Sequence, residues 1–296
     1  MSAMRSRISI RALEDSQAGA GPGEGRLTDA ECIAFLQWAL PHLHLRWQGF
    51  RKVRGQVCKR LSRRLKALGL ASIDEYRTFL AKYNKEWEQL DSLCRISISR
   101  FYRDRSVFEY LAAHAMPELA ARLGTLPERR FRVWCVGCAA GEEVYTLRLL
   151  WESLQQKFPE IDFSVLGTDV DANQIERARI ACYPESALRE LPDHLRQRAF
   201  EKKDSELCLF PQLKNRVEFR IQDIRREAPN EIFPLILSRN VAFTYFAEEE
   251  QLTVSKTIHS SLSPGGLLVL GKHEQVPAKA AGFRKVLPQL PVYQRI

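Results

Sequence analysis

The 296-residue sequence lacks any apolar run near the ~18 residues that a helix needs to cross a bilayer, so we predict no membrane span and no membrane insertion. Its N-terminus also lacks the apolar core of a secretory signal peptide, and we therefore expect a cytoplasmic protein. Apolar residues make up 45% and charged residues 27% of the chain. Those fractions are ordinary for a globular protein with a sizeable core.

The cysteines lack the even number and the regular spacing of a disulfide scaffold. There are seven of them, which predicts free thiols in a reducing compartment. Cys135 and Cys138 form a lone CxxC with no second pair to complete a zinc site. We interpret this pair as structural and predict no metal.

Residues 1–26 are rich in Ser, Ala and Gly and contain few large apolar groups, so we predict a flexible tail. Thr28, with Glu31 three residues later, is typical of a capping box at a helix start. No strand-like alternation follows before residue 130. The sequence therefore predicts a helical N-terminal domain over 27–95, and then a linker and connecting helix over 96–130.

Acidic residues are missing from the whole stretch between Cys32 and Ile73, and the chain as a whole carries a net charge of +9. The cations inside this window are Arg46, Arg51, Lys52, Arg54, Lys59, Arg60, Arg63, Arg64 and Lys66. Many lie three or four positions apart, so they share faces of a basic helix that we predict over 46–68. We interpret this helix as a docking surface for an acidic partner, with an ordinary solvated face as the alternative. Nucleic acid is the lesser option, because there is no aromatic interleaving and no helix-turn-helix or zinc-finger pattern.

The segment from Phe131 to Leu147 reads as a strand, a glycine turn and a helix start, which is how α/β proteins build nucleotide sites. The turn lacks Gly-Lys-Ser/Thr and any cation between Gly137 and Tyr145, so it is not a P-loop. Glu142 and Glu143 follow it instead. Acids at this place repel a diphosphate and favour a cationic ligand, such as the amino group or sulfonium of S-adenosylmethionine.

A second strand-like run, from Phe163 to Thr168, ends at Asp169. A carboxylate at the end of the second strand is where such folds bind ribose hydroxyls. We therefore predict that Asp169 holds the ribose of the same ligand.

Several motifs, in order along the chain, resemble those of the CheR family of chemotaxis-receptor protein-glutamate O-methyltransferases. They are Ser97–Arg103, Gly137–Thr146, Thr168–Asp171, Ser238–Phe246, Leu262–Gly266 and Gly271–Glu274. The departures are serines for the linker Asn and Thr, Ser238 for a cysteine, His273 for a serine, and one extra residue beside Tyr245. The resemblance covers roughly residues 27–296.

This resemblance implies the fold. We expect an α/β Rossmann-like class I methyltransferase sheet over 131–296, mostly parallel, with the small inserted subdomain of the family over 184–215. Parallel strands are predicted near 132–136, 163–168, 217–221, 233–237 and 266–270, with helices on both faces. The final segment, 283–296, should return antiparallel and close the edge.

The resemblance also implies the site and its cofactor, S-adenosylmethionine, with S-adenosylhomocysteine as product. The residues assigned to cofactor binding are Ser97, Ser99, Gly137, Cys138, Ala139, Gly141, Glu143, Asp169, Asp223, Ile224, Arg239 and Asn240. Glu143 is favoured over Glu142 to face the cationic donor. Asp223 would bind the adenine amino group or, alternatively, cap the next segment.

Arg103 and Tyr245 are the implied catalytic residues at the transferred methyl group. Arg103 would pair with an acceptor carboxylate and Tyr245 would present its ring face to the sulfonium. A carboxylate acceptor needs no general base, which fits the absence of a clear His/Asp dyad.

These residues are compatible with three alternative functions. The leading hypothesis is methyl esterification of glutamates on an acidic protein, such as a helical chemoreceptor segment docked on the basic helix. A second keeps the donor and changes the acceptor to nucleic acid or a small molecule. A third is a non-catalytic module that binds S-adenosylmethionine.

Overall fold

The computed structural model of this chain describes residues 27–296, so the predicted flexible tail over 1–26 lies outside the described residues. Helices dominate the first part of this range. They are α1 (Asp29–His42), α2 (Trp47–Phe50), α3 (Arg54–Leu68), α4 (Ile73–Lys82), α5 (Lys85–Leu93), α6 (Arg105–Tyr110), a π-helical turn (Leu111–Ala115) and α7 (Met116–Gly124). No helix within 27–296 is both long and apolar enough to span a membrane.

Strands and helices then alternate along the chain. They are β1 (Arg130–Val136), α8 (Glu142–Leu154), β2 (Asp162–Asp169), α9 (Ala172–Ile180), β3 (Cys182–Pro184), α10 (Asp193–Ala199), β4 (Phe200–Lys203), β5 (Glu206–Leu209), β6 (Val217–Ile221), β7 (Phe233–Ser238), α11 (Ala242–Tyr245), α12 (Glu248–Ser261), β8 (Leu262–Leu270), β9 (Phe283–Lys285) and β10 (Val292–Arg295).

The main sheet has seven strands in the order β6-β2-β1-β7-β8-β10-β9. The five predicted parallel strands are present, and β10 pairs antiparallel with β8, which confirms the predicted return of the C-terminal segment. The edge itself is β9, which pairs antiparallel with β10. The inserted subdomain is a separate three-stranded sheet in the order β3-β5-β4 that begins at Cys182.

Helices cover both faces of the main sheet, and this explains why β1 is apolar on both sides. Phe131, Val133 and Cys135 point into one buried cluster with α7, α8 and the inserted sheet. Trp134 and Val136 point into a second cluster that also contains the apolar side chains of α1, α3, α4 and α5. The N-terminal helices therefore share a core with the sheet.

The capping box at the start of α1 is confirmed. Thr28 Oγ1 accepts a hydrogen bond from Glu31 N at 3.2 Å, and Glu31 Oε2 accepts one from Thr28 N at 2.9 Å. The predicted single basic helix over 46–68 is wrong, because residues 51–53 form a turn between α2 and α3. Before α2, Arg46 N donates to the carbonyl of Tyr245 at 2.8 Å, which fixes the start of α2 against α11.

The prediction of free thiols is wrong for four of the seven cysteines, because two disulfides are present: Cys32–Cys58, and Cys182–Cys208 across β3 and β5. In each pair the partners are 26 residues apart, and only the fold brings them together. The other three, Cys94, Cys135 and Cys138, are buried and free. Burial raises the pKa of the Cys135 and Cys138 thiols, so both are protonated at neutral pH.

Candidate functional site

A cleft lies at the carboxyl ends of the parallel strands, beside the point where the strand order reverses between β1 and β7. The register places Val136, Thr168 and Ser238 at one level, so the loops after β1, β2 and β7 meet at this edge. Ligands of open α/β sheets bind at such a switch point. The cleft encloses about 1120 Å³ of space, a figure that includes open solvent at its entrance.

Nearly all of the predicted site residues line this one cleft. They are Ser97, Ser99, Arg103, Gly137, Cys138, Ala139, Glu143, Asp169, Asp223, Ile224, Arg239, Asn240 and Tyr245. Gly141 does not line it. Gly141 begins α8 with φ +86, and a Cβ there would lie 3.0 Å from Phe219, so it serves helix–strand packing instead of ligand contact.

The glycine turn approaches the cleft because Gly137 has φ +67, and a Cβ there would lie 2.4 Å from Val241 Cγ2. Asp169 holds the turn from the neighbouring strand. Its Oδ2 accepts from Ala139 N and its Oδ1 from Asp171 N, both at 2.9 Å. Burial raises the pKa of Asp169 and these two N–H groups oppose the rise. One carboxylate thus organises the loops after both β1 and β2 and faces the cleft.

Glu143 and Arg239 form a buried ion pair, with 2.6 Å between Glu143 Oε2 and Arg239 Nη1. Arg239 is only 3% exposed, and its Nη2 also donates to Asp104 Oδ2 at 2.8 Å. Burial raises the pKa of Glu143, while Arg239 opposes the rise. Two carboxylates share the Arg239 guanidinium, and Arg103, which also lines the cleft, is a second cation close enough to act on Glu143. Glu142 does not line the cleft, which supports Glu143 as the residue that faces the donor.

Asn240 and the start of α11 are held by a carboxylate to which the sequence assigned no role. Glu274 Oε2 accepts from Asn240 N and from Gly271 N, both at 2.7 Å, and its Oε1 accepts from Thr244 Oγ1 at 2.6 Å. Burial raises the pKa of Glu274, and these three donors oppose the rise. The signal was present, since Glu274 ends one of the matched motifs.

Tyr245 and Arg103 lie at the cleft, as predicted. Arg103 Nη1 donates to the carbonyl of Ile98 at 2.9 Å, which folds the linker back on itself. The Tyr245 ring packs against Phe50 of α2, with the ring centroids 5.1 Å apart. Burial raises the pKa of Tyr245, so its hydroxyl is protonated at neutral pH.

Arg46 secures the short helix that carries Tyr245. Its Nε donates to the carbonyl of Thr244 at 3.0 Å, and its Nη2 donates to the carbonyl of Phe243. Gly49 lies so close that a Cβ there would be 2.3 Å from the same Thr244 oxygen. The N-terminal helices therefore fix the backbone around Tyr245.

The sequence reasoning missed the cleft residues that come from the helical region and from the loop after β6. They are Leu45, Phe50, Asp91, Cys94, Arg95, Gln222 and Arg225. No spacing pattern marks them, because they reach the cleft only through long-range packing. Arg225 alone has a local signal, since its N–H donates to Asp223 two residues earlier at 3.0 Å.

The doubly wound sheet, the glycine turn without cations and the acid at the end of the second strand define a Rossmann-like nucleoside-binding protein of the methyltransferase class. Comparison with known proteins assigns the family. Residues 97–289 match the family model described as CheR methyltransferase, SAM binding domain. The chain belongs to the CheR methyltransferase family, is a methyltransferase and uses S-adenosylmethionine as its cofactor.

Curated relatives agree with this assignment. A probable chemotaxis protein methyltransferase of Rhizobium etli is 30% identical over 237 residues, which is 76% of this chain and 85% of its own. A chemotaxis protein methyltransferase of Vibrio parahaemolyticus is 30% identical over 78% of this chain and 84% of its own. One of Borreliella burgdorferi is 28% identical over 73% of this chain and 78% of its own.

Proposed function

We propose that this protein transfers the methyl group of S-adenosylmethionine to glutamate side chains of an acidic, chemoreceptor-like protein. The observation that carries this proposal is that Arg103 and Tyr245 line the same cleft as the predicted donor-binding residues. A guanidinium is suited to hold a carboxylate at that place. The names of the curated relatives support the same class of acceptor.

The donor fits the chemistry of the residues present. Asp169 would accept hydrogen bonds from the ribose hydroxyls, and the Glu143 carboxylate would face the cationic methionine end. Asp223 and Ile224 would lie at the adenine end. When bound, S-adenosylmethionine supplies an electrophilic methyl group on a sulfonium.

The acceptor carboxylate must be aligned with the methyl group, but it needs no acid–base catalysis. A glutamate carboxylate is ionised at neutral pH, so its oxygen attacks without a general base. Arg103 would hold that carboxylate in place, and the ring of Tyr245 would present its face to the cationic centre. The chain thus contributes orientation and exclusion of water, which are the main demands of such a transfer.

The acidic partner would dock on a smaller set of cations than the sequence suggested. Arg46, Arg54, Arg60 and Arg64 are engaged within the protein, with backbone carbonyls or with Asp29 and Glu86. Five cations of the same stretch are exposed, and their side chains make no hydrogen bond or ion pair within residues 27–296: Arg51, Lys52, Lys59, Arg63 and Lys66. We call these five residues the free basic face. Arg51 and Lys52 directly follow Phe50, which lines the cleft.

Incubation of a cell lysate with methyl-labelled S-adenosylmethionine tests the proposal. We expect label on protein that alkali releases as methanol, because carboxyl methyl esters are base-labile. Arg103→Gln should abolish most of this label, whereas Arg105→Gln should not. Arg105 is the matched control, since it lies two residues away, is exposed and pairs with Glu109 at 2.7 Å.

Other outcomes would contradict the proposed acceptor. Alkali-stable label on RNA or on a small molecule would identify a different substrate class. Tight binding of the donor with no labelled product from any fraction would indicate a module that only binds S-adenosylmethionine.

A further inference from the structure

Arg225 lies between two aspartates that come from distant parts of the chain. Its Nη1 donates to Asp91 Oδ1 at 2.7 Å and its Nη2 to Asp91 Oδ2 at 3.1 Å. On its other side, Nε donates to Asp223 Oδ1 at 3.0 Å and Nη2 to Asp223 Oδ2 at 2.8 Å. We call these three residues the Asp91–Arg225–Asp223 bridge. Both contacts are two-point contacts, the geometry in which a guanidinium fixes the orientation of a carboxylate.

The bridge is sheltered from solvent. The side chains of Arg225, Asp91 and Asp223 are 20%, 15% and 13% exposed. The hydrogen bonds to Arg225 hold the pKa of Asp223 below its ordinary value, although burial alone would raise it. The Asp223 carboxyl is therefore ionised at neutral pH, and screening by salt has little access to the bridge.

The bridge joins the N-terminal helices to the loops of the main sheet beside the cleft. Asp91 lies on α5, whereas Asp223 and Arg225 follow β6. Arg95, just beyond α5, strengthens the junction, because it pairs with Asp91 at 3.4 Å and donates to the carbonyl of Val170 after β2 at 3.4 Å. Every one of these residues lines the cleft.

The bridge determines what Asp223 can do. Asp223 Oδ1 already accepts from Nε and from the backbone N of Arg225, both at 3.0 Å. The acceptor capacity left for a ligand is therefore on Oδ2, whose shortest contact is Arg225 Nη2 at 2.8 Å. The orientation of Oδ2 depends on where Arg225 is held, and Asp91 holds the far end of Arg225. A residue of the helical region thereby influences the orientation of a carboxylate in the loop after β6.

We propose that Asp91 is a positioning residue of the donor site: through Arg225 it fixes the Asp223 carboxylate for recognition of the adenine amino group. This inference rests on the proposed function, in which Asp223 lies at the adenine end. The alternative is a purely structural junction that only keeps the helices on the sheet. The two differ in one measurable property, the selectivity for the base.

Calorimetric binding of two product analogues separates the alternatives. S-adenosylhomocysteine carries the 6-amino donor, and S-inosylhomocysteine has a carbonyl oxygen there, which would face the Asp223 carboxylate unfavourably. We expect the wild type to prefer the adenine analogue strongly. Asp91→Asn should weaken S-adenosylhomocysteine about 10-fold and reduce the preference by a similar factor, equivalent to ~1.4 kcal/mol.

The matched control is Asp74→Asn. Asp74 lies on the neighbouring helix α4, is exposed and pairs at 3.4 Å with Arg77 three residues away, so both affinities should stay at wild-type values. A second variant, Arg225→Lys, keeps the charge and cannot make two two-point contacts. It should reduce the preference at least as much as Asp91→Asn, and the double variant should lose no more than Arg225→Lys alone, because both changes break one unit.

Three outcomes of these binding measurements would contradict different parts of the proposal. If Asp91→Asn lowers the melting temperature but keeps the wild-type preference for adenine, the junction is structural and the inference is overturned. If the wild type binds S-adenosylhomocysteine and shows no preference over the inosine analogue, the proposed role of Asp223 fails as well. If the wild type binds neither analogue, the donor itself is wrong and the proposed function fails.

Discussion

The two walls of the cleft are built in different ways. On the sheet side, the contacts join loops of one sheet: Asp169 holds the turn at Ala139, 30 residues away in the sequence, and Arg239 pairs with Glu143, 96 residues away. On the helical side, the contacts span most of the chain: Asp91 reaches Arg225 over 134 residues and Arg46 reaches Thr244 over 198. The sheet wall supplies the residues expected to touch the donor. The helical wall holds Arg225 and the backbone around Tyr245 in place. Substitutions in one wall, followed by measurement of donor affinity and of methyl transfer, therefore show whether the two walls have separate roles.

The largest effect is expected in the sheet wall, for Gly137→Ala. The positive φ is unfavourable for alanine, and the new Cβ would lie 2.4 Å from Val241 Cγ2, so the turn must move. We expect affinity for S-adenosylhomocysteine to fall about 100-fold, or ~2.7 kcal/mol, by calorimetry.

Gly55→Ala is the control for this change in the helical wall. Gly55 lies in α3, and a Cβ at this position would have no neighbouring atom within 4 Å. The added methyl should therefore leave binding unchanged and stabilise the helix by roughly 0.5–1 kcal/mol. Wild-type affinity in Gly137→Ala would show that the backbone at this turn does not approach the ligand.

A smaller but more selective effect is expected for Arg46→Lys in the helical wall. Lysine keeps the charge but cannot donate to the carbonyls of Phe243 and Thr244 together. We expect kcat for methyl transfer to fall about 10-fold, or ~1.4 kcal/mol, with the affinity for S-adenosylhomocysteine unchanged. Arg51→Lys, on the exposed turn after α2, is the control and should change neither. An increase in KM for the acceptor at constant kcat would mean that Arg46 binds the partner instead of placing Tyr245.

Neutralisation of the three residues of the free basic face that lie on α3 should weaken binding of the acceptor and leave donor affinity unchanged. Lys59, Arg63 and Lys66 lie at i, i+4 and i+7 of α3, on one exposed face. The triple change to glutamine should raise KM for the acidic acceptor several-fold at low ionic strength, and the difference should shrink in high salt.

The control is a triple variant of equal charge and composition at exposed sites elsewhere: Arg129, Lys157 and Lys256. It should behave as the wild type at all salt concentrations. If both triple variants weaken the acceptor equally, the net charge of the protein is responsible and the free basic face is not a specific docking surface.

The smallest functional effect is expected for Glu86→Gln, which changes stability and leaves the cleft intact. Glu86 is 5% exposed and accepts from Arg64 and from Tyr76 at 2.7 Å. Burial alone would raise the pKa of Glu86, but these hydrogen bonds hold it below its ordinary value of 4.5. A carboxyl group with a lowered pKa stabilises the folded state above that ordinary value, and the contribution is lost as the pH falls through the lowered one.

Glu86→Gln should therefore have a lower melting temperature than the wild type at pH 7, and the difference should shrink below about pH 4. Glu88→Gln, exposed on the same helix, should follow the wild-type profile. A difference that stays constant down to about pH 3 would show that packing, and not the charge of Glu86, accounts for the loss.

The sheet and most of its site could be predicted because the information is local. The run from Phe131 to Val136, the glycine turn and Asp169 each show their role within a few residues. The helical wall could not be predicted, because no residue near Asp91 or Arg46 in the sequence indicates which loop will pack against it. The disulfides were missed for the same reason, since the spacing of Cys32 and Cys58 does not reveal that two helices bring them together. The break after Phe50 was missed because no proline marks it.

The shared core on one face of the sheet also bears on protein engineering. The family model begins at residue 97, and a gene cut there would uncover the side of β1 that carries Trp134 and Val136. Chimeras that exchange the N-terminal helices between relatives will need to transplant the segment around Tyr245 together with them. Without its native counterpart, either piece would expose apolar side chains that are buried in the intact protein.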